Sequence, residues 1–210
     1  MVGTNKKLTA HFFQQVLEDL ELENERRALL QSISNSIAEL LHQKQRVNLN
    51  FICTHNSRRS QFAQVWAHYA IHTLDIPNCY SFSGGTETTA FFRNTVKSLQ
   101  DVGFNFQLKN FSHQNPTYKI SFKGCKRPII GFSKVFDDES NVKPFIAVTT
   151  CSHADENCPF IPDASQRFHL PFTDPKKYDG SDKWMEMYQD TSKRIAGELH
   201  YIFDQVKVSI

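Results

Sequence analysis

No stretch of the chain approaches the roughly 18 uninterrupted apolar residues that a membrane-spanning helix needs. The N terminus, MVGTNKKLTA, lacks the apolar core of a signal peptide. The expectation is a cytoplasmic protein that engages no membrane. An excess of one charge is also missing: 24 Lys and Arg stand against 22 Asp and Glu, a formal net charge of +2. That balance gives no electrostatic case for a nucleic-acid partner. There is no internal repeat and no low-complexity tract. The cysteines, Cys53, Cys79, Cys125, Cys151 and Cys158, are five, an odd number for a disulfide framework. In a reducing compartment they read as catalytic, redox-active or plain buried thiols. Their spacing matches no common zinc signature, so no metal is expected, and nothing calls for a cofactor.

What is present is enough for one folded domain with an appendage. The chain has 210 residues, 40% of them hydrophobic and 12% aromatic, with Phe used 18 times. Residues 1–45 read as an N-terminal helical extension. Leu8, Phe12, Phe13, Val16, Leu17 and Leu20 follow helical spacing, and so do Leu29, Leu30, Ile33, Ile37, Leu40 and Leu41. Such an amphipathic pair packs either on the main domain or on a second subunit, as a homo-oligomer contact. Residues 46–210 read as an α/β catalytic domain. Strands are expected near 47–53, 79–83, 145–150 and 167–170, with Gly84-Gly85 ending the second. Helices are expected near 59–74, 90–102 and 182–206, with Gly103 capping the middle one. Residues 117–122 and 128–133 suggest a hairpin around Lys123-Gly124. Strands alternating with helices imply a mostly parallel sheet flanked by helices.

The densest chemistry lies in FICTHNSRRSQFAQ. An apolar run ends in Cys53, Arg59 stands six residues later, Ser60 follows, and an amphipathic run begins. This is the pattern of strand, tight loop and helix N terminus. Its amide N–H groups converge on one concavity, Thr54 through Ser60, suited to an oxyanion. Arg59 adds a planar, permanently charged fork. The same field favours the thiolate of Cys53, the reactive form, and Ser60 is placed to donate to it.

Two further motifs fall beyond the C-terminal ends of strands, where function gathers in such sheets. CSHADENC sets Cys151 and Cys158 seven positions apart across a polar segment. A disulfide between them needs that segment to bend, because disulfide Cα atoms lie within about 7 Å. A mobile loop over 151–158 is therefore expected. In TDP, Asp174 is followed by Pro175; it reads as a turn, or, beside the Cys53 loop, as an acid that protonates a leaving oxygen.

CTHNSRRS before a helix, together with the late Asp-Pro, resembles the low-molecular-weight protein tyrosine phosphatase superfamily. CSHADENCP resembles the second and third redox cysteines of its thioredoxin-coupled arsenate reductase branch. The resemblance covers about 47–205. It implies a phosphatase-like α/β fold with Cys53 as nucleophile, Arg59 as oxyanion clamp, Thr54, His55, Asn56, Ser57, Arg58 and Ser60 completing the loop, Asp174 as general acid, and Cys151 and Cys158 as a relay. The implied activity is arsenate reduction, reset by a thioredoxin-type reductant. The alternative is hydrolysis of phosphate monoesters, which uses neither later cysteine. Two departures stand out. His55 occupies a position where the family usually has Gly, so it is expected to take a left-handed backbone or to sit at the mouth. Arg58 often has Cys as its counterpart, and is expected to add positive field or to point to solvent.

Overall fold

VNLNFIC forms β1 (Val47–Cys53), and every one of its residues is buried. Burial on both faces is the mark of a strand inside a helix-covered parallel sheet. The two asparagines in it keep that burial tolerable by donating to backbone carbonyls: Asn48 to Pro144 at 2.9 Å and Asn50 to Phe136 at 2.8 Å. The computed structural model describes residues 6–157 and 160–210. After β1 come α3 (Arg59–Thr73), β2 (Cys79–Gly85) and α4 (Arg93–Asp101), with α1 (Lys6–Glu18) and α2 (Asn24–His42) before it. The second half supplies β6 (Phe145–Thr149), α5 (Ser152–Asn157), β7 (Ala164–His169), a 3-10 turn (Pro175–Tyr178) and α6 (Trp184–Ser209). The main sheet is wholly parallel in the order β2-β1-β6-β7. The α/β, mostly parallel architecture expected from the sequence is the one observed.

Between α4 and β6 sits a smaller antiparallel sheet of β3 (Asn105–Asn110), β4 (Thr117–Ser121) and β5 (Ile129–Gly131). The hairpin around Lys123-Gly124 is there. The strand β3 was not expected: NFQLKN is exposed along most of its length and shows no buried face. Gly84-Gly85 also behaves differently from expectation. The strand runs through both residues. Their smallness serves close approach: a Cβ on Gly84 would lie 2.3 Å from the Phe136 Cα, and one on Gly85 would lie 2.7 Å from the Thr54 carbonyl oxygen.

The N-terminal helices pack on the main body. Phe13 stacks on Trp66 of α3 with ring centres 5.6 Å apart, and Phe12 stacks on it at 5.4 Å. Gly197 of α6 admits Val16 and Leu20 of the α1 region, whose methyls would come within 3.0 Å of a Cβ there. Leu30, Ile33 and Ile37 of α2 join the same buried cluster as Leu199, Ile202 and Phe203 of α6. The fastening polar contact is Arg26, which grips the fully buried Glu198 through Nε and Nη2 at 2.7–3.0 Å and donates to the Pro171 carbonyl. Arg194 gives Glu198 a second cation at 2.6 Å.

Arg26→Met keeps the stem of the side chain but leaves Glu198 with one cation instead of two. The unfolding free energy should fall by about 2–3 kcal/mol in urea titration. Ionisation inside the fold gives a second test. His68 of α3 lies edge-on to Phe122 and reaches the Cys125 thiol at 3.5 Å. Burial, aided by neighbouring His72, pulls its pKa down to about 4. The fold therefore accepts the neutral ring, and an unfolded histidine titrates near 6.5. The stability contributed by the neutral ring is complete above about 6.5 and is lost as pH falls towards 4. His68→Phe should flatten the acid limb of the stability profile between these values, by up to about 3 kcal/mol.

Candidate active site

The loop between β1 and α3 is shaped by where its carbonyls go. Cys53 and Thr54 accept from the amides of Thr86 and Glu87 at 3.1 and 2.8 Å. The His55 carbonyl accepts from the Thr89 and Ser133 hydroxyls, that of Asn56 from Gln61 Nε2, and that of Ser57 from the Phe92 amide and the Thr95 hydroxyl. Arg58 bonds ahead to the Phe62 amide of α3. Six successive carbonyls are thus turned outward. Among the described residues, none of the amides from His55 to Arg58 donates to a protein acceptor. Unpaired donors converging at a helix N terminus form an oxyanion cradle.

Asn56 makes the turn possible. It alone in the loop has a left-handed backbone, φ 45°, a region asparagine visits more readily than most residues. Of the two expectations for His55, the positive φ is absent; its ring faces Glu87 at 3.5 Å near the surface and lines the cleft beside the loop. The buried Asn56 side chain is fixed by the Lys134 backbone amide, which can only donate, at 3.0 Å to Oδ1. Gln61 adds a second donor to Oδ1. Asn56 Nδ2 then points at Ser60 Oγ, 2.9 Å away. That bond occupies Ser60 as an acceptor and leaves its own proton to face Cys53 Sγ at 3.0 Å, the arrangement a thiolate requires.

Arg59 leaves the first turn of α3 and meets Asp174 through Nη2 at 2.5 Å, with Nη1 on the Phe172 carbonyl at 3.2 Å. Its Nε is buried and, among the described residues, has no partner, a donor available to a bound oxyanion. Asp174 caps the 3-10 turn through the Lys176 amide at 3.0 Å. Arg58 departs from both expectations for it. Its guanidinium lies 4.0 Å over the Phe92 ring and bonds to the Tyr188 hydroxyl at 2.6 Å and to Asp179 at 2.5 Å. Burial alone would lower its pKa, but Tyr188 and Asp179 outweigh burial and hold it above the arginine norm. Only the backbone of Arg58 is left for the loop; its side chain pins the 3-10 turn to α6. An open cleft of about 540 Å³, lined by His55, Ser57, Arg58, Phe92 and Lys176, adjoins the loop.

The second thiol is close by. Cys151 follows β6 and shares a small buried cluster with Cys53, Ile52, Ala147 and Ala154. The Thr54 hydroxyl reaches Cys151 Sγ at 3.6 Å and His153 Nδ1 at 3.2 Å. The segment after Cys151 corrects the expected loop: it is a helix, α5. Ala154 is fully buried, and Asp155 accepts from Thr149 at 2.7 Å and from Arg167 at 2.6 Å. Burial would raise the Asp155 pKa, but Arg167, Thr149 and His169 outweigh it and hold it below the carboxylate norm. Cys158 lies outside the described residues. Among the described residues no group of three His, Cys, Asp or Glu side chains could hold a metal ion. Sequence reasoning missed Gln61, Ser133, Lys134 and Thr149, which brace the site from segments without a motif.

No family model matches the chain. Curated relatives do. The chain is 31% identical over 137 residues to the arsenate reductase of Halalkalibacterium halodurans, covering 64% of this chain and 79% of that protein. It is 30% identical over 138 residues to arsenate reductase 1 of Staphylococcus epidermidis, covering 66% and 85%. Among solved structures, the low-molecular-weight phosphotyrosine phosphatase of Vibrio cholerae superposes with a TM-score of 0.52 at 14% identity, over 75% of this chain and 95% of that one. That likeness carries the fold. With the sequence similarity it means that the chain belongs to the arsenate reductase family, on the low-molecular-weight protein tyrosine phosphatase fold.

Proposed function

We propose that this protein reduces arsenate to arsenite, with Cys53 as nucleophile and Cys151 and Cys158 as a thiol relay. The observation that carries the reading is the buried Cys151 thiol beside the Cys53 loop, which ester hydrolysis would not need. In the proposed sequence, the loop amides and Arg59 hold the arsenate oxygens. The Cys53 thiolate attacks arsenic, and one arsenic oxygen leaves as water with a proton from Asp174. The Cys151 thiolate then attacks Cys53 Sγ. The electron pair of the S–As bond passes to arsenic, which leaves as arsenite, while the two sulfurs form a disulfide. Cys158 attacks Cys151 in turn and frees Cys53 as thiolate. A thioredoxin-type dithiol is the proposed reductant of the resulting Cys151–Cys158 bond.

The ion pair between Arg59 and Asp174 fits the resting state of such a site. An incoming oxyanion takes over the guanidinium and leaves the carboxyl at the edge of the loop, next to the leaving oxygen. Phosphate-monoester hydrolysis is the competing reading, since Cys53, Arg59 and Asp174 complete that chemistry without the later cysteines.

Arsenite formation by the purified protein with a thioredoxin system tests the proposal. Cys53→Ser should lose turnover by about 10³-fold or more, and Arg59→Lys by about 10²-fold, because a point charge cannot clamp two oxygens. Cys158→Ser should stop after one turnover with a Cys53–Cys151 disulfide, seen by peptide mass mapping. Robust ester hydrolysis with no thiols consumed by arsenate would instead establish the phosphatase. The relay also demands motion. Six helical residues separate Cys151 from Cys158 in sequence and rise about 9 Å, beyond the Cα span of a disulfide. Amides of α5 should be protected from hydrogen exchange in the reduced protein and lose protection on oxidation. Equal protection in both states, with the Cys151–Cys158 bond confirmed, would remove that bond from the mechanism.

A further inference from the structure

A cavity with a mostly apolar wall lies away from the Cys53 loop, between the outer face of α3, β2 and the segment closing the small sheet. It encloses about 780 Å³, within the size range of small-molecule sites. Ile71, Ile76, Ile130 and Phe132 line its walls. Its charges are uneven: Lys109, Lys126, Arg127 and Lys134 line it against one acid, Asp75. Lys134 is the telling residue. It is 4% exposed, its Nζ lies 4.6 Å over the Phe132 ring, and among the described residues it has no ion pair or side-chain hydrogen bond. Burial pulls its pKa down to about 8, and the charge of Asp138 offsets only part of that. An ammonium whose stem is buried and whose head opens only on the cavity, with no protein acceptor among the described residues, is poorly solvated, and a bound anion is the partner that would offset that.

We propose that this cavity binds an organic monoanion with an apolar body, a long-chain carboxylate, whose head group pairs with Lys134 and whose tail lies against Ile71, Ile130 and Phe132. The same short segment that lines the cavity braces the oxyanion loop. The Phe132 carbonyl accepts from Gln61, the Ser133 hydroxyl donates to the His55 carbonyl, and the Lys134 amide and carbonyl bond Asn56 Oδ1 and the Gly85 amide at 3.0 and 2.8 Å. A ligand that shifts Lys134 therefore shifts the hub of the loop, so occupancy alters the reactivity of Cys53.

Decanoate, below its micelle concentration, is the probe, with decanol and decylammonium as controls. The expected result is one decanoate site by calorimetry, with amide shifts in the full-length protein mapped to residues 126–134 and the outer face of α3. Lys134→Met should weaken decanoate at least tenfold and leave decanol unchanged. Ile130→Trp fills the cavity from β5 and should abolish binding of both, which keeps the test sound if the Lys134 variant fails to fold. Saturating decanoate should change the rate of Cys53 alkylation by iodoacetamide at least twofold in the parent and not in Ile130→Trp. No binding by the parent, equal binding by Lys134→Met, or decylammonium binding as tightly as decanoate would overturn the site. Binding with an unchanged alkylation rate would overturn the coupling.

Discussion

The side chain of Asn56 is the contact on which the site rests. One residue supplies the left-handed turn, accepts from the Lys134 amide and Gln61, and donates a hydrogen bond to Ser60. Each bond constrains the next. The Lys134 amide fixes which end of the amide group faces Ser60, and Ser60, accepting from Asn56, keeps its own proton free to donate to Cys53 Sγ, the other polar atom in reach. All members of the chain are buried, and the bonds among Lys134, Gln61, Asn56, Ser60 and Cys53 leave Gln61 Oε1 as their one unmatched side-chain atom among the described residues, so the network is stiff. The loop amides are therefore fixed by the fold itself, and the proposed oxyanion would meet them already in place, the condition under which fixed dipoles lower a barrier without reorganising. Gly85 belongs to this account, since any side chain there would strike the Thr54 carbonyl and the Asn56 amide.

The Asp174 carboxylate is held from the opposite side. Asp174 follows Pro171, Phe172 and Thr173, and each of these is gripped. Arg26 of α2 donates to the Pro171 carbonyl and lies 5.2 Å over the Phe172 ring. Arg59 takes the Phe172 carbonyl, and Thr191 of α6 donates to that of Thr173 at 3.4 Å. The Arg58–Tyr188–Asp179 triad closes the far end of the 3-10 turn. Burial, with Asp179 as acceptor, pushes the Tyr188 hydroxyl above its ordinary range despite Arg58. That hydroxyl stays protonated and passes the bond from the guanidinium to the carboxylate. The N-terminal helices thereby reach the segment that carries Asp174 through one arginine.

What could be read from the sequence divides along physical lines. The parallel sheet was legible because β1 and β6 are unbroken buried runs, and the loop was legible because Cys53, Arg59 and Ser60 sit at a strand-to-helix junction. The left-handed residue was misplaced onto His55, because a family pattern marks a position, whereas the backbone puts the strain on the residue best able to take it. Arg58 could not be read at all: its partners lie 121 and 130 positions away. The same holds for the 132–134 brace, which uses backbone groups and one serine hydroxyl and so leaves almost no compositional trace. β3 escaped because an exposed strand shows no buried face.

The helix after Cys151 sets the remaining constraint. SHADEN looks like a loop because it is polar, yet one alanine and one aspartate hold it. Ala154 fills the small cluster around Cys53 and Cys151, and its amide donates to Cys151 Sγ at 3.4 Å. Asp155 is tied to the sheet through Thr149 and Arg167, and stays ionised because those contacts outweigh burial. A short helix of six residues has little stability of its own, so these anchors decide whether it persists. The Ala154 amide loses a good acceptor once that sulfur enters a disulfide, which accepts hydrogen bonds poorly. Oxidation of Cys151 therefore weakens one of the bonds that keep α5 wound, and the proposed relay would loosen its own restraint at the step where it needs to move.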